Sequence, residues 1–284
     1  MGTDHRIEPI SLDQAGLQTT SALLAHVFPS AAHFTPAVLD WQYVQNPDGK
    51  AVGFNAWSHD QLAGHYVTIP LLARLNGTEE KALLSLNTAT HPDHQGKGLF
   101  TRLANATYER ATELGYGSVI GVANANSVHG FTRKLGFQHV APLLALIGAG
   151  PLRMDAVHDV PAFSTVLHAD RLRWRLAHPV YRYAVASSAH EVLVLSEKRL
   201  KGFRFILHQG KGLDGSDLPR VDAPFLRAFI GLDPAIRRSR SLYLNVPMRF
   251  RPSPLHLIFK DLTGRGRRLD PSKVRFQAID FDTL

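Results

Sequence analysis

The segment His91-Pro92-Asp93-His94-Gln95-Gly96-Lys97-Gly98-Leu99-Phe100 holds the residue types in this chain best suited to binding chemistry. It follows an apolar run of strand character and opens a run of helical character. The start of a helix leaves several backbone N–H groups without intrahelical partners. The helix macrodipole favours an anion in front of them. Gly96 and Gly98 allow the backbone to approach a ligand closely and to adopt conformations that a β-carbon penalises. Lys97 adds a positive charge at the rim, so the ligand this turn suits is a pyrophosphate. The order of residues matches neither a Walker loop nor the three-glycine dinucleotide fingerprint. His91 and His94 have the spacing of a metal-ligating pair, yet they occupy the turn itself and no carboxylate pattern completes a ligand set. No metal is expected.

The elements that must position this turn follow from hydrophobic periodicity and turn chemistry. Residues 6–11 read as an opening strand, and Leu17, Leu23, Leu24 and Val27 place one apolar face on a helix over 12–28. A second short helix covers 36–44 and stops before the turn signal Asn46-Pro47-Asp48-Gly49. Residues 51–58 and 62–72 form a hairpin around His59-Asp60, and 82–90 is the strand that delivers the glycine turn. A helix over 99–114, a strand over 118–123, a helix over 127–135 closed by Gly136, and a strand from Phe137 complete the first half. The expected fold is a mixed α/β sheet with flanking helices. The predicted division is one domain over 1–150 and a smaller, basic α+β domain over 151–284. One echo links the halves. Trp41-Gln42-Tyr43 before Asn46-Pro47 resembles Trp174-Arg175-Leu176 before His178-Pro179, and each precedes a pair of strands. A duplicated fold whose second copy lost its cofactor turn, or chance similarity, both account for it.

Gln95-Gly96-Lys97-Gly98-Leu99-Phe100 resembles the acyl-CoA signature of the GNAT N-acetyltransferases, Gln/Arg-x-x-Gly-x-Gly/Ala, with Phe100 in place of its last small residue. The resemblance continues through 119–123 in the position of the family's fifth strand, Asn124-Ala125-Asn126-Ser127 opening the next helix, and Arg133-Lys134-Leu135-Gly136-Phe137 closing it. It covers roughly residues 5–150. It implies a GNAT-type sheet, with acetyl-CoA or another acyl-CoA as co-substrate. Thr88, Ala89 and Thr90 would pair with the pantetheine arm as an added strand. Backbone N–H groups of Gln95, Gly96, Lys97, Gly98, Leu99 and Phe100 would hold the pyrophosphate, with Asn126 and Phe131 flanking the arm and Lys134 near the adenosine phosphate. It further implies direct attack of an amine on the thioester. The position of the tyrosine acid common in the family is Thr132 here. The resemblance makes His65 the first candidate base and His91 the second, with Asn87 and Tyr66 also on the acceptor side.

Composition limits the remaining choices. The 284 residues are 44% hydrophobic and 20% charged, an ordinary globular balance, and contain no cysteine for disulfides, thiolate metal sites or a thiol nucleophile. No signal-peptide pattern follows Met1, and no run approaches the roughly 18 apolar residues of a membrane span. A cytoplasmic protein is the expectation. The net charge of +8 is uneven: residues 1–150 hold 9 Lys and Arg against 11 Asp and Glu, and residues 151–284 hold 23 against 13. No zinc-finger, basic-zipper or RNP-like pattern accompanies the charge, so nucleic acid is not expected. The phrases 41–49, 84–100 and 124–137 resemble a bacterial GNAT branch tied to polysaccharide assembly, which implies a nucleotide-linked (dTDP or UDP) amino sugar as acceptor. Arg171, Arg173, Arg175, Arg237, Arg238, Arg249 and Arg251 are then candidates for its diphosphate. Alternatives are another amine, such as an aminoglycoside, a polyamine or a protein N-terminus, or a non-catalytic acyl-CoA-binding module.

Overall fold

The computed structural model describes residues 5–31, 33–155, 160–187, 192–198, 202–210 and 219–281, without the side chain of Arg238. β1 (Arg6–Pro9) leads to α1 (Gln14–Val27), which Asp13 caps by accepting the Gly16 N–H at 2.7 Å. α2 (Pro36–Tyr43) is capped by Thr35 and has proline at its first turn. β2 (Val52–Ser58), β3 (Gln61–Leu75) and β4 (Thr78–Thr90) follow as an antiparallel meander. The β3–β4 hairpin is longer than the apolar pattern predicts. It turns at Asn76-Gly77, both with positive φ (47° and 86°), as an Asn-Gly hairpin turn requires. α3 (Leu99–Glu113) crosses to β5 (Ser118–Asn124), a strand buried on both faces at Val119 and Ile120. The helix expected over 127–135 is reduced to a π-helical turn, Gly130–Lys134, after which Gly136 has φ 68°.

Two departures from regular pairing shape the first sheet. Between His65↔Ala89 and Val67↔Leu86 the β3–β4 register slips by one residue, and Asn87 takes up the slip with φ 47°. β5 pairs in parallel with β4 only from Ala82↔Ser118 to Ser85↔Gly121. Beyond that point the strands part, leaving a gap between the second half of β4 and the end of β5.

The remaining elements are β6 (Gln138–Pro142), β7 (Leu144–Ala149), β8 (Phe163–Thr165), α4 (Ala169–Leu176), β9 (Tyr183–Ser187), β10 (Val192–Ser196), β11 (Arg204–Gly210), β12 (Leu226–Leu232), β13 (Leu242–Asn245), β14 (Leu255–Asp261) and β15 (Phe276–Gln277). They do not separate at residue 150. The first sheet runs β1-β2-β3-β4-β5-β14-β6 and the second β13-β7-β12-β11-β10-β9. β14, from the second half, lies between β5 and β6; β7, from the first half, lies between β12 and β13. Each half thus lends one strand to the other, and a cut at 150 would remove a strand from both sheets.

The second sheet repeats the pattern of the first: an antiparallel β9-β10-β11 meander, a parallel β11–β12 pair, then the lent strand and the last strand. At the pseudo-symmetry centre Trp41 and Trp174, 133 positions apart, stack with centroids 4.5 Å apart. Each indole N–H donates to the other's carbonyl, at 2.9 and 2.8 Å. The echo in the sequence is therefore a physical clasp, and the matching strand order argues for duplication over chance.

The two parallel pairs differ in what fills the gap beside them. β11 and β12 pair only from Arg204↔Arg227 to Ile206↔Phe229, and β15 then lies against Gly231 and Leu232 of β12. The Gln277 side chain accepts the Gln209 N–H at 2.9 Å and donates to the Gln209 carbonyl at 3.3 Å. The chain's own residues occupy this second gap, whereas the β4–β5 gap opens to solvent.

Candidate active site

β4 ends in Thr90 and α3 begins at Leu99, so the turn predicted to bind pyrophosphate connects them. Gly96 and Gly98 have φ of 74° and 73°, and a β-carbon at either would meet no atom within 4 Å. Glycine is favoured there by backbone conformation and not by crowding. Gly98 is the N-cap of α3 and brings no side-chain acceptor, so the first amides of this 15-residue helix are not capped from within. In front of them lies a groove of ≈ 630 Å³. Thr88, Ala89 and Thr90 form one side; Gln95, Gly96, Gly98, Leu99 and Phe100 form the end; Asn126, Phe131 and Lys134 form the other side. Lys97 stands at the rim with its Nζ 3.4 Å from His94 Nδ1.

The bulk of Phe100 is absorbed by its neighbours. Its ring packs edge-on to Phe131 with centroids 5.2 Å apart, over Gly130, where a β-carbon would stand 3.3 Å from the ring. Around the turn sits a histidine cluster. His5 Nε2 lies 2.9 Å from His94 Nδ1, His91 stacks on His26 of α1, and Gln61 bridges His91 and His94. Desolvation, then the nearby Lys97, His5 and His91, push the His94 imidazole below its ordinary pKa.

A second cleft, of ≈ 370 Å³, opens on the other side of Thr88, the residue both cavities share. Its floor is the diverging pair, with Ser85, Leu86 and Asn87 from β4 and Val122 and Asn124 from β5. Its walls are Phe28, His33 and Phe34 from the α1–α2 connection, Tyr181 ahead of β9, and Phe281 beyond β15. Both halves of the chain therefore build it. A groove ending on uncapped helix amides and a cleft meeting it at the gap between two parting strands give room for two ligands side by side.

The profile of the acetyltransferase (GNAT) domain matches residues 9–140, which contain the glycine turn and the gap. Residues 9–140 thus carry a GNAT-type acetyltransferase domain. The match supports acyl transfer from an acyl-CoA as the chemistry of this domain. Three solved structures share its fold. A probable N-acyltransferase from Enterococcus faecalis V583 superposes with a TM-score of 0.64 at 9% identity, covering 92% of this chain and 73% of that one. A GCN5-related N-acetyltransferase from Anabaena variabilis gives 0.61 at 10%, covering 91% and 73%. Eis1 from Mycobacterium abscessus gives 0.57 at 12%, covering 89% and 73%. No curated protein matches the chain in sequence. Among the described residues no helix is long and apolar enough to cross a membrane, and no group of three or more His, Cys, Asp or Glu is arranged to hold a metal.

On this GNAT scaffold the nominated bases are placed differently from expectation. His65 is wholly buried, with Nδ1–H donating to Asn55 Oδ1 at 2.7 Å and Nε2 accepting from the Tyr43 hydroxyl at 3.2 Å. Burial lowers its pKa to about 3, so it is neutral and enclosed at physiological pH and is corrected from base to supporting residue. Its chain of contacts ends at the cleft. Asn87 Nδ2 donates to the Tyr43 hydroxyl at 2.9 Å and to Gln42 Oε1 at 2.7 Å, which leaves the Asn87 carbonyl oxygen as its remaining acceptor. Tyr66 is buried beneath the sheet against Ser85 and Tyr108, and burial raises its pKa to about 12. His91 belongs to the turn cluster and lines neither cavity. The Thr132 hydroxyl donates back to the Val128 carbonyl at 2.9 Å.

The arginines expected to grip a diphosphate are engaged elsewhere. Arg171 and Arg175 are each 3% exposed. Arg171 pairs with Asp48, tying α4 to the turn after α2. Arg175 donates to the Ile279 and Phe281 carbonyls at 3.1 and 3.0 Å and to the Tyr183 hydroxyl at 2.9 Å. It thereby fixes the segment that carries Phe281 into the cleft. Arg173 pairs with Asp170, and Arg237 with Asp155 at 2.8 Å. Arg249 lies over Phe250, and Arg251 holds the carbonyls of Val246 and Leu143. None of these lines the second cleft. The Arg238 side chain lies outside the described residues.

The wall residues Phe28, His33, Phe34, Tyr181 and Phe281 were not identifiable from sequence. They sit on connections without periodicity and meet only through the packing of the two halves. The one available signal was the position of Tyr181 just after the echoed His178-Pro179.

Proposed function

We propose that the chain transfers an acyl group from acyl-CoA to a primary amine by direct attack in a ternary complex at Thr88. The carrying observation is the meeting of the groove and the cleft at that residue, beside the gap between β4 and β5. The pantetheine arm extends β4 across this gap, its amides pairing with the strand end at Thr88, Ala89 and Thr90. The uncapped amides of α3 hold the pyrophosphate. The amine enters from the Phe28–Phe34 side and donates an N–H to Asn87 Oδ1, which Tyr43, Gln42 and His65 hold in orientation. Its lone pair attacks the thioester carbonyl carbon as the C–S bond breaks. The proton lost by nitrogen passes through solvent to the thiolate, a weak base whose conjugate thiol has an ordinary pKa of about 8.5.

The nucleotide-linked amino sugar reading requires cations around a diphosphate. The arginines nominated for that task are paired to carboxylates and carbonyls away from the cleft, apart from Arg249, which lies over Phe250 away from it, and Arg238, so we do not carry it forward. Thiol release from acetyl-CoA over a panel of amines tests the proposal. Turnover with at least one primary amine, and loss of turnover in Asn87→Ala with acetyl-CoA binding intact, is the expected result. Binding of acetyl-CoA with no thiol release for any amine would reduce the protein to a non-catalytic module.

A further inference from the structure

The acceptor cleft has aromatic walls that are fixed before any substrate arrives. Phe28 and Phe34 come from one connection, with ring centroids 5.7 Å apart. The Ser21 hydroxyl donates to the Phe34 carbonyl at 2.6 Å and anchors that wall to α1. Tyr181 stands opposite, stacked on His178 at 4.4 Å, with its N–H donating to His178 Nδ1 at 3.1 Å. Phe281 is fixed by the buried Arg175, through its carbonyl. Three segments distant in sequence thus bring aromatic residues to one small volume, each held from behind by a polar contact; the Phe281 ring itself stacks on Phe276 with centroids 5.4 Å apart. Phe28 is 36% exposed, an apolar surface facing water. The floor offers hydrogen bonding from Ser85, Asn87 and Asn124, and the walls add Ser30, His33 and the Tyr181 hydroxyl.

From this geometry we infer that the acceptor is an arylalkylamine, a primary amine joined to an aromatic ring by a short alkyl chain. The inference rests on the N-acyltransferase reading and names its substrate class. A flat ring fits between preorganised aromatic faces at little entropic cost, gaining offset or edge-on contacts on both sides. The ammonium form is attracted to the ring faces on its way in. Loss of water in the cleft then favours the neutral amine that the reaction needs. The C–N bond forms as the C–S bond breaks; the products are the N-acyl arylalkylamine and free CoA thiol. A cleft of ≈ 370 Å³ suits a one- or two-ring body in place of an oligosaccharide or a nucleotide.

Steady-state thiol release with acetyl-CoA and four acceptors tests this: 2-phenylethylamine, hexylamine, spermidine and a UDP-linked amino sugar. The expected kcat/KM for 2-phenylethylamine exceeds that for hexylamine by about tenfold or more, the range a shaped apolar pocket discriminates. Tyr181→Ala and Phe34→Ala should each raise the KM for 2-phenylethylamine several-fold and leave the KM for acetyl-CoA unchanged. Tyr181→Phe, which keeps the ring, should raise that KM less than Tyr181→Ala does, and unchanged acetyl-CoA binding in each variant controls for folding. Equal rates on 2-phenylethylamine and hexylamine, or preference for spermidine or the sugar nucleotide, would overturn the aromatic acceptor and leave the acyltransferase standing. No turnover with any amine, despite acetyl-CoA binding, would overturn both.

Discussion

Acidification should destabilise this protein through His65, and the size of the effect follows from its burial. The imidazole has an ordinary pKa of 6.5 when the chain is unfolded and about 3 in the folded state. Between those values the unfolded chain binds a proton that the folded chain refuses, so folding stability falls as pH falls. The contribution is intact above pH 6.5 and is lost progressively below it, at about 1.4 kcal/mol per pH unit. At pH 5 the loss is about 2 kcal/mol, a large fraction of a typical domain's stability. His208, which burial and then Arg275 push down to about 4, acts with the same sign. Urea denaturation at pH 8, 6 and 5 measures the slope. His65→Gln removes the titrating group, and although it lowers stability at pH 8 by disturbing Tyr43 and Asn55, its profile between pH 6.5 and 5 should be flatter by that amount. A variant slope equal to the parent's would refute the account of a neutral, enclosed His65. So would a His65 ring resonance that titrates near 6.5.

Other outcomes follow from the same contacts. Gly98→Ala forces a β-carbon into a left-handed conformation, so it should cost about 1–2 kcal/mol in urea melts and weaken acetyl-CoA binding, with Gly98→Asn milder in both. Trp174→Ala removes the stack and one of the reciprocal hydrogen bonds joining the halves; a loss of about 3–5 kcal/mol is expected by denaturation, against a smaller loss for Trp174→Phe. Arg175→Ala frees the Phe281 segment and should raise the KM for the amine more than that for acetyl-CoA in steady-state assays. Because His94 is held below its ordinary pKa by desolvation and neighbouring cations, a bound pyrophosphate should raise it again. Acetyl-CoA binding near pH 6 should therefore take up protons, measurable by calorimetry in buffers of different ionisation enthalpy.

The groove at the glycine turn was legible because the elements that build it are local in sequence. Glycines, the strand end before them and the helix after them lie within about one turn of each other, and Gln95, Gly96, Gly98 and Phe100 line the groove as the resemblance implied. Asn87 lines the second cleft. His65 was misjudged because strand periodicity does not reveal that Tyr43 and Asn55 close over both ring nitrogens. The arginines misled for a related reason. Their charge is visible in sequence, but Asp48 and the carbonyls of Ile279 and Phe281 are over 100 positions away. Partner choice among strands is equally non-local. β7 and β14 read as ordinary apolar runs, and nothing in either run tells that each joins the other half's sheet. The Trp41–Trp174 echo was the one long-range relation written in both segments, and the two residues do meet.

The open gap beside β4 is proposed to bind one acyl-CoA, while the equivalent gap beside β11 is occupied by Phe276 and Gln277. Isothermal titration of the intact chain with acetyl-CoA tests it most directly. One equivalent per chain, with affinity reduced in Gly98→Ala, is the predicted result. No heat of binding, two equivalents, or an affinity indifferent to Gly98 would contradict it.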